Sequence, residues 1–231
     1  MDIHKPKPWH GLREFLKEYA IIVVGVLTAL GAEQAVEWLH WRHVVQEQRV
    51  ALKDEVEGFY YAMLGRADLQ DCVEMRLTDI ATILKRHDAG QLLGITGPVG
   101  RPTEGVADLS VYEMALANQA FSHMAFEEQE KYFDARGSYL TFKDTTMAER
   151  EVWQALGSLD RAQTFTPGDW SDFRKAYDRA VDLNEILKND LRAESAGQWL
   201  TPFKSFEKPK NASYRFIPRV RRLCQPMIAR G

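Results

Sequence analysis

Tyr19 to Ala32 reads YAIIVVGVLTALGA, fourteen residues without a formal charge, inside a segment from Trp9 to Asp88 that contains no proline. Nothing in that segment forbids an uninterrupted helix, and its apolar core must be hidden from water by protein or by lipid. At 1.5 Å per residue the core spans roughly 21 Å, short of the roughly 30 Å hydrocarbon layer of a bilayer. The flanks supply the missing length. Leu12, Phe15, Leu16 and Tyr19 share one helical face before the run, and Ala35, Val36, Trp38, Leu39 and Trp41 follow it. Trp9 and Tyr19 on one side and Trp38 and Trp41 on the other have the placement of the two aromatic belts of a spanning helix. Lys17 and Glu18 can snorkel to the near interface. A transmembrane helix over 19–41 is the reading that uses all of these features.

Two competitors use fewer. A cleaved secretory signal would find its small-x-small end at Ala29-Leu30-Gly31, but its leading region would be long and would carry Glu14 and Glu18. The helical pattern also continues past that point without a break. A buried core helix of a soluble protein would explain the short run but not the paired aromatic flanks. Lys5, Lys7, Arg13 and Lys17 precede the run and only Arg42 and Arg49 follow closely. The positive-inside rule then puts residues 1–18 in the cytoplasm and the rest outside, in a bacterium the periplasm beyond the inner membrane.

The pattern beyond the span is helical. Leu52, Val56, Phe59 and Met63, then Val73, Leu77, Ile80 and Leu84, recur at spacings of four and three like a coiled-coil seam. Arg66 and Gln70 interrupt that seam, so 42–88 predicts a stalk packing on later helices rather than a continuous coiled coil. Residues 89–107 form a Gly/Pro loop without the Gly-Lys-Ser/Thr of a phosphate-binding loop, and predict a mobile connector. Residues 108–197 predict a helical bundle. Ser110 and Glu113 have capping-box spacing for a helix through about Ser122, and a second helix runs from Glu127–Glu128 to about Leu159, with Gly137 and Gly157 as weak points. Thr166-Pro167 is a strong helix start. Trp170, Phe173, Tyr177, Ala180, Asn184, Leu187 and Leu191 then hold a seam to about Gly197, with Asn184 its one polar member. The expected fold is all-α, a spanning helix continuing into a stalk and packed with two or three further helices as an elongated bundle.

Residues 198–231 form a basic tail. From Thr201 onward eight Lys or Arg face Glu207 alone, a net +7, which leaves −10 for the first two hundred residues within the total of −3. Such a tail suits the acidic body, an acidic partner or lipid head groups, and on the expected side of the membrane it does not meet nucleic acid. Cys72 and Cys224 are too few and too distant for a zinc or Cys-x-x-Cys motif. Either one disulfide or two buried thiols fits them.

Little in the chain has the pattern of a reactive site. Glu37 and His40 have the Glu-x-x-His spacing of di-iron bundles, with His43 and Glu33 nearby, but no second such pair exists in the chain. A metal there would have to be shared between chains, and no resident cofactor is expected. A polar cap at the outer interface is the simpler use of these residues. Gly25, Ala29 and Ala32 make a small-residue stripe that lets a second helix approach closely. Glu33 follows it inside the Trp38 belt, where a carboxylate is costly unless paired or protonated. These four residues are the expected helix–helix contact, with a second copy of the chain or another membrane protein as partner.

The stretches REFLKEYAIIVVGVLTALGAEQAVEW and VYEMALANQAFSHMAFEEQEKY give the chain a resemblance to a family of bacterial single-pass membrane proteins with an N-terminal span and a helical extracytoplasmic region. The resemblance covers most of residues 9–200. It implies bacterial origin and a helical fold and supplies no activity. Three functions follow as expectations: a non-enzymatic assembly, scaffold or accessory subunit; a ligand-sensing bundle that signals through a partner; and a metal-dependent enzyme with a site shared between chains.

Overall fold

The computed structural model describes residues 11–102, 108–191 and 218–229. Within them the fold is all-α. Helix α1 runs Gly11–Ala67, α2 Gln70–Asp88, α3 Ser110–Ala117, α4 Phe126–Leu156, α5 Pro167–Asp190 and α6 Pro218–Leu223, with 3-10 turns at Ala120–His123 and Gly157–Thr164. Asp68 and Leu69 interrupt regular helix between α1 and α2, next to Arg66 and Gln70, where the sequence seam also fails. All eight apolar seam residues from Leu52 to Leu84 are buried.

Two apolar cores are stacked along the bundle. The proximal core, nearer the projecting start of α1, gathers Val45, Leu52, Val56 and Phe59 of α1 with Tyr112, Phe121, Tyr139, Phe142 and Leu187. Phe59 stacks on Tyr139 with ring centres 4.1 Å apart. The distal core joins Val73, Ile80 and Ile83 of α2 to Trp153, Leu156, Phe173 and Ala180, with Leu223 and Met227 from the end of the chain. Because α4 and α5 contribute to both cores in opposite chain order, they form an antiparallel hairpin.

A polar layer separates the cores. Arg66, only 2% exposed, donates from Nε to Glu149 Oε2 at 3.0 Å and from Nη2 to Glu149 Oε1 at 2.8 Å. Its Nη2 also reaches Asn184 Oδ1 at 3.0 Å and its Nη1 reaches Gln70 Oε1 at 3.0 Å. Gln70 returns Nε2 to Asn184 Oδ1 and to Glu74 Oε1, and Glu74 meets Lys188 at 2.9 Å. The seam-breaking residues of the stalk and the one polar residue of the α5 seam thus satisfy one another.

Several local expectations change in three dimensions. The box Ser110/Glu113 does not form: the N-cap of α3 is Leu109, without a side-chain cap. Glu55 of α1 caps α3 from across the interface, accepting from Val111 N at 2.9 Å and Tyr112 N at 3.0 Å. The helix expected through Ser122 stops at Ala117, and Gln119 takes a left-handed turn (φ 64°). Helix α4 passes Gly137 without interruption and ends at Leu156, before Gly157. Thr166 and Asp169 form a capping box with Pro167 in the first turn of α5, as the sequence indicates. The end expected near Gly197 lies outside the described residues.

Residues 89–102 are not a free connector. Val99 is fully buried, its N–H donates to Asp160 Oδ1 at 3.1 Å, and Thr96 N donates to Met227 O at 2.9 Å. Gly100 has φ 66°, and a Cβ there would lie 2.6 Å from Leu223 N, so the loop passes flush against α6. That contact needs glycine. Residues 218–229 are latched to α2 in turn. Cys72 and Cys224 form a disulfide, Arg76 Nη2 donates to the carbonyls of Arg222 (2.8 Å) and Gln225 (2.6 Å), and Met227 N donates to Asp79 Oδ2 (2.9 Å). Of the two options for the cysteines the fold uses the disulfide, and this part of the tail packs on the body.

Arg66→Met or Glu149→Leu alone strands a buried charge and is expected to destabilise the protein by about 3–5 kcal/mol, whereas the double substitution recovers most of the loss. Chemical denaturation of the three variants checks this, and additive losses would contradict it. Burial is the main influence on Glu55 and raises its pKa above 4.5, partly opposed by its two backbone hydrogen bonds. The native state therefore holds this proton more tightly than the unfolded chain, a contribution present below pH 4.5 and lost as pH rises through the raised value. Glu55→Gln is expected to flatten that part of the stability–pH curve, and an unchanged curve would assign the titration elsewhere.

Candidate membrane-proximal surface

From Gly11 to His40 every residue of α1 is exposed except the half-buried Val23, so this part of the helix projects roughly 45 Å from the bundle. Its apolar residues include Leu12, Phe15, Leu16, Tyr19, Ile21, Ile22, Val24, Val26, Leu27 and Leu30, an area no other described residue covers. Among the described residues one helix, this one, is long and apolar enough to cross a membrane.

The expected helix–helix residues Gly25, Ala29, Ala32 and Glu33 all lie on this projecting part and are exposed, with open space around Gly25. They share the helix by construction of the spacing, and the fold brings no other described element to them. Glu37, His40 and His43 are likewise exposed. His43 pairs with Glu47 at 3.2 Å and His40 lies edge-on to Trp41. No group of three metal-ligand side chains exists among the described residues.

The bundle begins at Trp41. Its indole stacks on the imidazole of His123 with centres 3.7 Å apart and planes 14° from parallel, joining α1 to the turn before α4. Two residues beyond Met124, Phe126 opens α4 with its ring 72% exposed. Arg42 lies over the Trp38 ring, 5.3 Å from its centre. Two turns higher, Arg49 makes a two-pronged pair with Glu128, both contacts 2.7 Å, and this hydrogen bond holds the guanidinium pKa above its ordinary value. The pair forms one wall of an open cleft of about 530 Å³ between α1 and α4, with Lys53, Lys131 and Tyr132 around it. Burial pushes the Tyr132 phenol up to about 12, so it stays protonated across physiological pH.

The sequence reading missed His123 as a partner of Trp41, since eighty-odd residues separate them and no local spacing connects them. The signal it could have used is Phe126, an aromatic residue at the exposed start of an amphipathic helix. Comparison with protein-family models, curated proteins and solved structures gives no match.

Trp41→Ala is expected to cost about 0.5–1.5 kcal/mol beyond lost burial and to speed amide exchange selectively at Ala120–His123. Hydrogen exchange that rises evenly through the bundle would mean that the stack does not anchor this turn.

Proposed function

We propose that the chain is a membrane-anchored, non-enzymatic assembly or accessory subunit of the bacterial inner membrane. In this reading residues 19–41 cross the bilayer, residues 1–18 face the cytoplasm and the bundle stands in the periplasm. It belongs with the family of bacterial single-pass proteins that its sequence resembles. The observation that carries the reading is the division of α1. The residues from Val45 onward complete two cores with the chain's own helices, while the preceding apolar stretch is exposed at every position but the half-buried Val23 among the described residues. An apolar surface of this size requires lipid or another protein around it. The basic residues before the span support the stated direction. The disulfide supports it independently, because such bonds persist in oxidising compartments such as the periplasm.

Within the bilayer the Gly25–Ala29–Ala32 stripe and Glu33 are the proposed contact with a second copy or with another membrane protein. No other described residue covers them on the projecting helix. A sensing role draws on one observation, the cleft of about 530 Å³ beside Arg49, Lys53 and Lys131, whose open form suits a partner's side chains as well as a small anion.

Affinity purification of the full chain from native membranes in mild detergent tests the proposal. The expected result is a defined oligomer or a stoichiometric membrane partner, lost on Gly25→Leu together with Ala29→Leu. A wild-type chain that runs alone as a monomer would refute the assembly role.

A further inference from the structure

Between Trp38, Trp41, Arg42, Val45, Arg49 and His123 lies a cavity of about 240 Å³, at the junction of the projecting helix and the bundle. Its chemistry is uneven. Two indoles form apolar walls, and of the two guanidinium groups Arg49 is already held by Glu128 through Nε and Nη2. Arg42 has no carboxylate partner among the described residues and is held over the Trp38 face. Stacking on Trp41 fixes His123, which adds an imidazole edge to the polar side.

The position of this cavity along α1 is set by helix geometry. The proposed span 19–41 centres on Leu30, so Trp38 stands roughly 12 Å, Trp41 roughly 17 Å and Val45 roughly 23 Å above its middle along the axis. A bilayer of roughly 40–45 Å including head groups ends at about that height. The cavity therefore opens where lipid phosphates lie, and Trp38, 59% exposed, continues its apolar wall down the helix.

Resting on the proposed membrane span, we infer that this cavity binds the phosphate of an anionic phospholipid in the leaflet next to the bundle. The phosphate oxygens take the forked donors of Arg42 and the free Nη1 of Arg49, with the His123 imidazole alongside. The glycerol backbone lies against Trp38 and the acyl chains run down the exposed face of α1. A guanidinium stacked on an aromatic ring is already oriented for such a two-pronged contact, so less freedom is lost on binding. The volume is below the roughly 300–1,000 Å³ of sites that engulf a drug-sized ligand, so the cavity takes a head group and leaves the chains outside. Bound in this way, a lipid would seat the base of the bundle, with Phe126, on the membrane surface and limit its tilt.

The test uses the full chain in nanodiscs of phosphatidylcholine with a minor share of phosphatidylglycerol, followed by native mass spectrometry of the lipids retained. Wild type is expected to keep phosphatidylglycerol in excess over its share. Arg42→Gln, at an exposed position that leaves both cores intact, should reduce that enrichment about tenfold, the scale of one lost charge-assisted contact. His123→Ala should reduce it less, and serves as the second variant. Equal enrichment in wild type and both variants would overturn the site. Displacement of the retained lipid by millimolar inorganic phosphate would assign the cavity to a free anion and overturn the lipid. Alkaline carbonate extraction separates the two levels. Release of wild type defeats the spanning reading and this inference with it, whereas retention with unaltered lipid preference defeats the inference alone.

Discussion

Arg66 and Glu149 meet in the middle of the bundle with almost none of either residue reaching solvent, and neither charge could sit there without the other. Removing two ions from water is expensive, and the attraction between them compensates only when the remaining donors and acceptors are also satisfied. Here Asn184 and Gln70 supply those contacts, and Glu74 and Lys188 extend the chain of bonds toward the surface. The network draws on α1, α2, α4 and α5 together, so it fixes how the stalk and the α4–α5 hairpin are registered along their length. A shift of either by one helical turn would leave a buried charge facing apolar side chains. The interruption of regular helix between α1 and α2 falls beside the same layer.

The layer also explains why the bundle has two cores held by different means. The proximal core is dense in aromatic rings and is closed by side chains of α1, with Glu55 capping α3 and Trp41 pinning the turn before α4. The distal core is finished by a segment from the far end of the chain. Ordering residues 218–229 against α2 is entropically costly, since 152 residues separate the two cysteines. The disulfide removes much of that cost from the unfolded state. Arg76 and Asp79 make the latch specific, one taking up carbonyls at the end of α6 and the other a backbone N–H that the apolar surroundings would leave unpaired.

Both cores close without the first part of α1, and no other described residue covers it. The same continuous helix thus passes from a surface that the chain covers to one that it leaves for something else to cover. The change occurs within a few residues, at Trp38, Trp41 and Arg42, where aromatic rings and cations lie side by side. That composition suits neither a dry core nor open water but the boundary between lipid and solvent.

Much of this architecture was legible in the residues. The proline-free segment, the seam positions from Leu52 to Leu84, the Thr166-Pro167 start and the α5 seam all act through contacts within a turn or two, which spacing records. The uncharged run from Tyr19 to Ala32, with Gly25 inside it, likewise determined by itself that this stretch would be helical and apolar. What faces it from outside is not written in its own spacing. Only the tertiary structure decided that Arg66, Asn184 and Glu149 complete one another, that Glu55 and not Ser110 caps α3, that the Gly/Pro loop is pinned by Val99 and Gly100, and that Cys72 finds Cys224. Each of those choices depends on groups more than fifty residues apart, and desolvation makes them binding: a polar atom, once buried, must take whichever partner the fold brings near.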